Sequence, residues 1–144
     1  MPVFLAGCTK LGPVSVAVAL EHIRDEMANF GPTTYLLTVT DDQRPHAVSV
    51  AVVADEASDG LVVRVGSRTA SNAAARPEVT LLWPPSAPGE FSLIVDGRAH
   101  VDDDRITITP TKAVKHRAAV SGPDAAYQSE CQAVGDPEAE PVRH

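Results

Sequence analysis

Apolar residues near the start of the chain recur at the spacing of an amphipathic helix. Between residues 19 and 30, four large apolar side chains follow one another at steps of three and four, and charged residues occupy most positions between them. This spacing predicts an α-helix with one apolar face, which the following Gly-Pro pair ends. Residues 1–18 show no regular period and are predicted to form a loose N-terminal arm. The four apolar residues are Leu20, Ile23, Met27 and Phe30.

After this helix the sequence changes to short runs of β-branched and apolar residues separated by polar turns. Such runs are typical of strands in an antiparallel sheet. Gly97 lies inside the fifth run and predicts a bulge or bend, and Pro110 interrupts the sixth, which continues at Ala113 and Val114. The six predicted strands are residues 34–40, 46–54, 61–66, 78–83, 90–101 and 105–109.

An alanine-rich segment interrupts the strand pattern between the third and fourth runs. Residues 67–76 contain only one β-branched residue and predict a short helix, with Ser67 or Thr69 as its N-cap. Six closely spaced strands with helices before the first and after the third favour a mainly β protein built on a small antiparallel barrel. We expect this barrel domain at residues 19–117 and a partly disordered acidic tail at residues 118–144.

Charge and composition exclude several classes of protein. The formal net charge is −7, and no basic stripe is present, so we expect no nucleic-acid partner. The last 24 residues hold five acids and one base. Cys8 and Cys131 lack metal-ligand spacing and are interpreted as two reduced thiols, and no metal site is expected. The apolar runs are far shorter than the ~20 residues that cross a bilayer, so the sequence favours a cytoplasmic protein without a membrane partner.

The order of these elements and one turn resemble a known family. The turn Asp42-Gln43-Arg44-Pro45-His46 is similar to the turn between the paired first strands of the pyridoxamine 5′-phosphate oxidase-like, FMN-binding split-barrel superfamily, although the family's usual glycine is replaced. The resemblance covers residues 20–117 and includes the flavin/deazaflavin oxidoreductase group. It implies a six-stranded antiparallel split barrel, a mainly β fold with flanking helices.

The resemblance also implies a cofactor site where the third strand runs into the short helix. Family members hold a flavin phosphate there with hydroxyl and basic side chains. The first amides of a helix lack internal partners and attract anions, and a guanidinium can grip phosphate with its planar fork. A capped helix start with a solvated Arg68 is the alternative interpretation. The residues that the resemblance assigns to this site are Gly66, Ser67, Arg68, Thr69, Ser71 and Asn72.

Asn72 departs from the family, because many relatives carry lysine or arginine at this position. An amide donates a hydrogen bond but does not neutralise charge, so a weaker phosphate site is expected. The resemblance also places the strand that carries His46 and Ser49 near the flavin ring, with contacts through backbone groups, although His46 taken alone indicates a surface histidine. It brings Trp83 towards the partner subunit's cofactor, with a hydrophobic plug as the alternative. Arg64 either faces the cofactor or pairs with an acid on a neighbouring strand.

Beyond this site, a basic cluster of Lys112, Lys115 and Arg117 either extends the anion site across a dimer or forms a solvated face. The family's sites combine two subunits, so the resemblance implies a homodimer. The expected function is an FMN-binding oxidoreductase acting on a small molecule that the sequence does not identify. The alternatives are a reductase using the deazaflavin coenzyme F-420 and a non-catalytic flavin- or haem-binding module. Pyridoxamine phosphate oxidation itself is not expected, since an acidic tail replaces the family's basic C-terminal segment.

Overall fold

The computed structural model of the chain describes residues 14–119, in which Ser15–Arg117 form one compact unit. A single 3-10 turn at Leu20–His22 leads into α1 (Ile23–Met27), and α2 spans Ser67–Ala75. The other elements are strands, and they confirm the predicted mainly β fold. The strands are β1 (Ser15–Val18), β2 (Thr34–Val39), β3 (Pro45–Val50), β4 (Val53–Ala54), β5 (Leu61–Arg64), β6 (Glu78–Trp83), β7 (Ser92–Asp102) and β8 (Arg105–His116).

The strands form one antiparallel sheet that curls towards itself. Its order is β3-β2-β6-β7-β8-β5-β4, and β1 pairs with β8 outside this path. The two strands at the ends of the path, β3 and β4, are separated in sequence only by Ala51 and Val52. The predicted second strand therefore bends and joins both edges of the sheet, as a split barrel requires. This arrangement confirms the fold class.

Alternation of side chains places the core on the inner face of the sheet. Leu36, Leu81 and Val95 are paired in adjacent strands and are fully buried. Burial of one such side chain is worth about 1.5–3 kcal/mol. Thr34 and Thr38 lie on the same face of β2 as Leu36 and are also buried. The core therefore includes one polar side chain near each end of β2, and Thr38 is the one bonded to α2.

Several boundaries differ from the prediction, most clearly at the start of the described chain. Ser15–Val18 form β1 against β8, so the predicted loose arm is wrong over these four residues. The strand is stabilised by pairing with a distant segment, which local periodicity does not report. The predicted arm before residue 14 and the tail after residue 119 lie outside the described residues, as do Cys8 and Cys131. The first helix is also shorter than predicted, because its first turn is 3-10.

Strand β8 continues to His116 through the expected continuation at Ala113 and Val114, and Pro110, which interrupts the predicted sixth strand, lies inside it. The register between β7 and β8 shifts at this point, where Gly97 pairs with Pro110 and Asp96 pairs with Lys112. Thr111 is the extra residue of this bulge, and its hydroxyl donates to the Asp96 carbonyl at 3.2 Å. A bulge tolerates a proline because the ladder is already interrupted there. The bulge predicted at Gly97 is confirmed.

Within residues 14–119, the helices are too short and insufficiently apolar for any of them to cross a membrane.

Candidate functional site

A cleft lies between the first half of α2 and the turn that follows β2. Its volume is about 490 Å³ and it is open to solvent. One wall comes from the segment that the sequence assigns to phosphate binding, and the other comes from the β2–β3 turn. The lining residues are Thr40, Asp41, Asp42, Ser67, Arg68, Ser71 and Asn72.

The start of α2 presents unpartnered backbone amides. Gly66 is the N-cap, and no side chain caps the helix, so the predicted caps Ser67 and Thr69 are wrong. The first helical hydrogen bond runs from the Ala70 N–H to the Gly66 carbonyl at 3.0 Å. The amides of Ser67, Arg68 and Thr69 precede that bond and have no partner within the helix. Ser67 is itself helical, which leaves its exposed hydroxyl free of the capping role.

The side chains on this wall suit an anion. Ser67, Arg68 and Ser71 are exposed, and Arg68 takes part in none of the ion pairs formed within residues 14–119. A Cβ atom at Gly66 would meet no atom within 4 Å. Its φ of −80° is also one that any residue adopts. The fold therefore does not require glycine here, and its absent side chain leaves room for a ligand to approach the backbone.

Asn72 lines the cleft but uses one of its two amide N–H groups for a contact in the core. It is 6% exposed, and its amide nitrogen donates to the Thr38 hydroxyl at 3.2 Å. Both groups are buried, so this bond satisfies polar atoms that would otherwise be costly to bury. The amide thus joins α2 to β2.

The opposite wall of the cleft is acidic, and sequence analysis assigns no function to it. Asp41 receives a hydrogen bond from the Arg76 guanidinium at 2.8 Å, and Arg76 also donates to the Val39 carbonyl at 2.7 Å. The Asp42 carboxylate accepts a hydrogen bond from the Thr40 hydroxyl. The two Arg76 contacts hold the turn against the C-terminal end of α2, whereas the Thr40 contact lies within the turn. The family-like turn motif identified the segment, but no local signal showed that it would face Arg68.

The same turn contains Gln43, at the position where the family that the sequence resembles usually carries glycine. Its φ is 65°, a left-handed conformation that favours glycine. The Gln43 N–H donates to the Thr40 carbonyl at 2.9 Å, and the Thr40 N–H donates to the Arg44 carbonyl at 3.0 Å. The turn therefore has the left-handed backbone conformation that favours glycine, although the residue there is glutamine.

Other residues predicted to bind the cofactor lie elsewhere. Arg64 forms an exposed ion pair with Asp104 at 3.1 Å and does not line the cleft, which matches the alternative of an acidic partner. Trp83 is 3% exposed, packs in the hydrophobic core and does not line the cleft. Thr69 is 4% exposed and is also absent from the cleft wall.

His46 and Ser49 lie on opposite faces of β3. His46 pairs with the buried Thr38, whereas Ser49 pairs with Tyr35 on the outer face. Neither side chain lines the cleft.

The basic cluster is divided by the fold. Lys115 forms a half-buried ion pair with Glu26 at 3.3 Å, and the Arg117 guanidinium lies 4.9 Å from the centre of the Phe91 ring. Lys115 and Arg117 line a second cleft of about 330 Å³ near α1. Lys112 lies apart from it and is exposed. None of the three lines the cleft beside α2.

Within residues 14–119, no three histidine, cysteine, aspartate or glutamate side chains gather closely enough to hold a metal ion.

Comparison with known proteins gives related sequences and related folds. Uncharacterized proteins of Mycobacterium bovis and Mycobacterium tuberculosis are each 47% identical over 111 residues, which cover 66% of this chain and 78% of each relative. No known family model matches the sequence.

Three solved structures share the fold at low sequence identity. A candidate pyridoxamine 5′-phosphate oxidase of Listeria innocua superposes with a TM-score of 0.53 at 18% identity, covering 65% of this chain and 94% of that protein. The haem storage protein HutZ of Vibrio cholerae gives 0.51 at 18%, covering 67% and 94%. An FAD-binding protein of Mesorhizobium loti gives 0.51 at 13%, covering 74% and 100%.

Proposed function

Because the chain belongs to one family with the mycobacterial proteins and has the fold of the pyridoxamine 5′-phosphate oxidase-like split barrels, we propose that it binds a flavin. The proposed flavin is FMN, and its proposed site is the cleft beside α2. The observation that carries the proposal is the start of α2, which has no side-chain cap and presents Arg68, a residue without an ion pair among residues 14–119. Three amides, two exposed hydroxyls and one guanidinium there are donors suited to a phosphate group. The FAD-binding protein with the same fold supports a flavin.

The proposed activity is that of a flavin-dependent oxidoreductase acting on a small molecule. A bound flavin supplies the hydride chemistry, and the protein supplies binding, orientation and electrostatics. Ser67, Arg68 and Ser71 would hold the phosphate, and the open space at Gly66 would admit it close to the backbone. Arg76 and Asn72 would keep the β2–β3 turn and α2 at a fixed separation.

We further propose a homodimer formed through the outer face of the sheet. Tyr35, Leu82, Ile94 and Val114 are paired in a row across β2, β6, β7 and β8, on the face opposite the core. Tyr35 is 38% exposed in the isolated subunit, and the other three are half-buried. A continuous apolar row on a sheet surface is typical of an interaction site. A second copy of the chain is the occupant that the family resemblance favours.

Titration with cofactors tests the proposed function. The protein is purified under mild conditions and titrated separately with FMN, riboflavin, a deazaflavin and haem, with flavin fluorescence or absorbance as the readout. Saturable FMN binding at one site per subunit supports the proposal. Preference for the deazaflavin would instead indicate a deazaflavin reductase, and preference for haem a haem-binding module. No saturable binding of either flavin would contradict the proposal.

A further inference from the structure

The cleft beside α2 carries opposing charges on its two walls. Arg68 contributes one positive charge, and Asp41 and Asp42 face it from the β2–β3 turn. Arg76 lies against Asp41 at 2.8 Å and offsets that carboxylate. Asp42 has no ion pair within residues 14–119, and its contact there is with the neutral Thr40 hydroxyl. One uncompensated carboxylate therefore shares the cleft with one uncompensated guanidinium.

This balance matters for a ligand with a charged group. A phosphate placed at the start of α2 would be attracted by Arg68 and repelled by Asp42. The repulsion grows with the charge of the ligand, whereas a neutral group would not feel it. Asn72 does not alter the balance, because its amide is uncharged and bonded to Thr38. The phosphate therefore contributes less binding free energy than it would if only the donors at α2 acted on it.

We propose that Asp42 is a specificity-determining residue that limits the negative charge of the ligand accepted by this cleft. The inference rests on the proposed flavin site and names its ligand class, a flavin carrying no more than a single phosphate group. A ligand with a longer polyanionic tail, such as a deazaflavin bearing an acidic chain, meets additional repulsion at the same turn. The Thr40 hydroxyl holds the carboxylate in place, so Asp42 acts from a fixed position.

The experiment compares Asp42→Asn with wild type at low ionic strength, where exposed charges are least screened. Riboflavin, FMN and a polyanionic deazaflavin are titrated into each protein. Asp25→Asn is the matched control, because it removes the same charge from an exposed position on α1 that lines none of the clefts described here. The expected result is roughly three- to tenfold tighter FMN binding in Asp42→Asn and a larger gain for the deazaflavin. Riboflavin affinity should change by less than about twofold, since riboflavin is neutral.

Each other outcome overturns the inference in a recognisable way. An equal gain for riboflavin and FMN would mean that Asp42 obstructs the cleft by its shape. An equal gain in Asp25→Asn would assign the effect to net charge. Unchanged FMN affinity alongside normal riboflavin binding would overturn the role of Asp42 while leaving the flavin site intact. Failure of both proteins to bind riboflavin or FMN would instead overturn the proposed function itself.

Discussion

At the scale of single residues, Arg68 is the side chain on which the proposed site depends most. It is exposed, stands in the first turn of an uncapped helix, and forms no ion pair within residues 14–119. Its neighbour Thr69 is buried against the core, so consecutive residues of α2 serve different purposes. Because successive side chains of an α-helix point in different directions, Thr69 lies on the face that packs and Arg68 lies on the face that remains available to a ligand.

Removal of Arg68 should weaken FMN binding. Arg68→Ala eliminates one charge-assisted contact, so we expect a loss of about 1.5–3 kcal/mol of binding free energy. The dissociation constant from a fluorescence titration measures this loss. Arg98→Ala is the matched control, because Arg98 is exposed and paired with Glu78 on the sheet, away from the cleft. An unchanged dissociation constant in Arg68→Ala would eliminate its proposed phosphate role.

The buried bond between Asn72 and Thr38 should contribute to stability. Asn72→Ala leaves a buried hydroxyl without its donor, and we expect it to lower the free energy of unfolding by about 1–3 kcal/mol. Thr38→Val removes the other partner. The double variant should lose about 1 kcal/mol less than the sum of the single variants, because the bond is lost only once. Urea unfolding of all four proteins measures the coupling, and simple additivity would show that the bond contributes nothing.

At the scale of the elements, the bulge between β7 and β8 lets a long strand pass through a proline. Gly97 permits the close approach of the two strands there. A Cβ atom at this position would lie 2.6 Å from Ile108 Cγ2 and 2.7 Å from the Thr109 carbonyl oxygen. These distances are shorter than van der Waals contact, and one of them is to backbone. The continuation of β8 to the segment that pairs with β1 thus depends on a residue without a side chain.

Gly97→Ala should therefore destabilise the barrel. Overpacking in a tight region costs typically about 1–3 kcal/mol, and we expect a loss of that size in the free energy of unfolding. Gly31→Ala is the control, because a Cβ atom there would meet nothing within 4 Å. Thermal or denaturant unfolding of both variants measures the difference. Equal stability of the two would show that the strands separate at little cost.

At the scale of the whole molecule, the outer sheet face determines whether the proposed dimer forms. Light scattering should find two subunits for the wild type. Tyr35→Arg should shift the equilibrium to the monomer, since it places a charge in the apolar row at a position that is already 38% exposed. Tyr35→Phe keeps the apolar ring and should remain dimeric. A monomeric wild type would contradict the proposed dimer, and circular dichroism establishes that the variants are folded.

The pattern of residues predicted the mainly β fold, and the resemblance to a known family indicated the segment that contains the candidate site. The β-branched and aromatic residues of β2, the break at α2 and the glycine of the bulge are local signals, because propensity and backbone constraints act over a few residues. Only the tertiary structure brings Asp41 and Asp42 into the same cleft as Arg68, and only the tertiary structure brings Asn72 to Thr38. These contacts join residues 26 to 34 positions apart, and no local pattern encodes them. The same holds for β1, which exists because β8, about 100 residues away, offers it a partner.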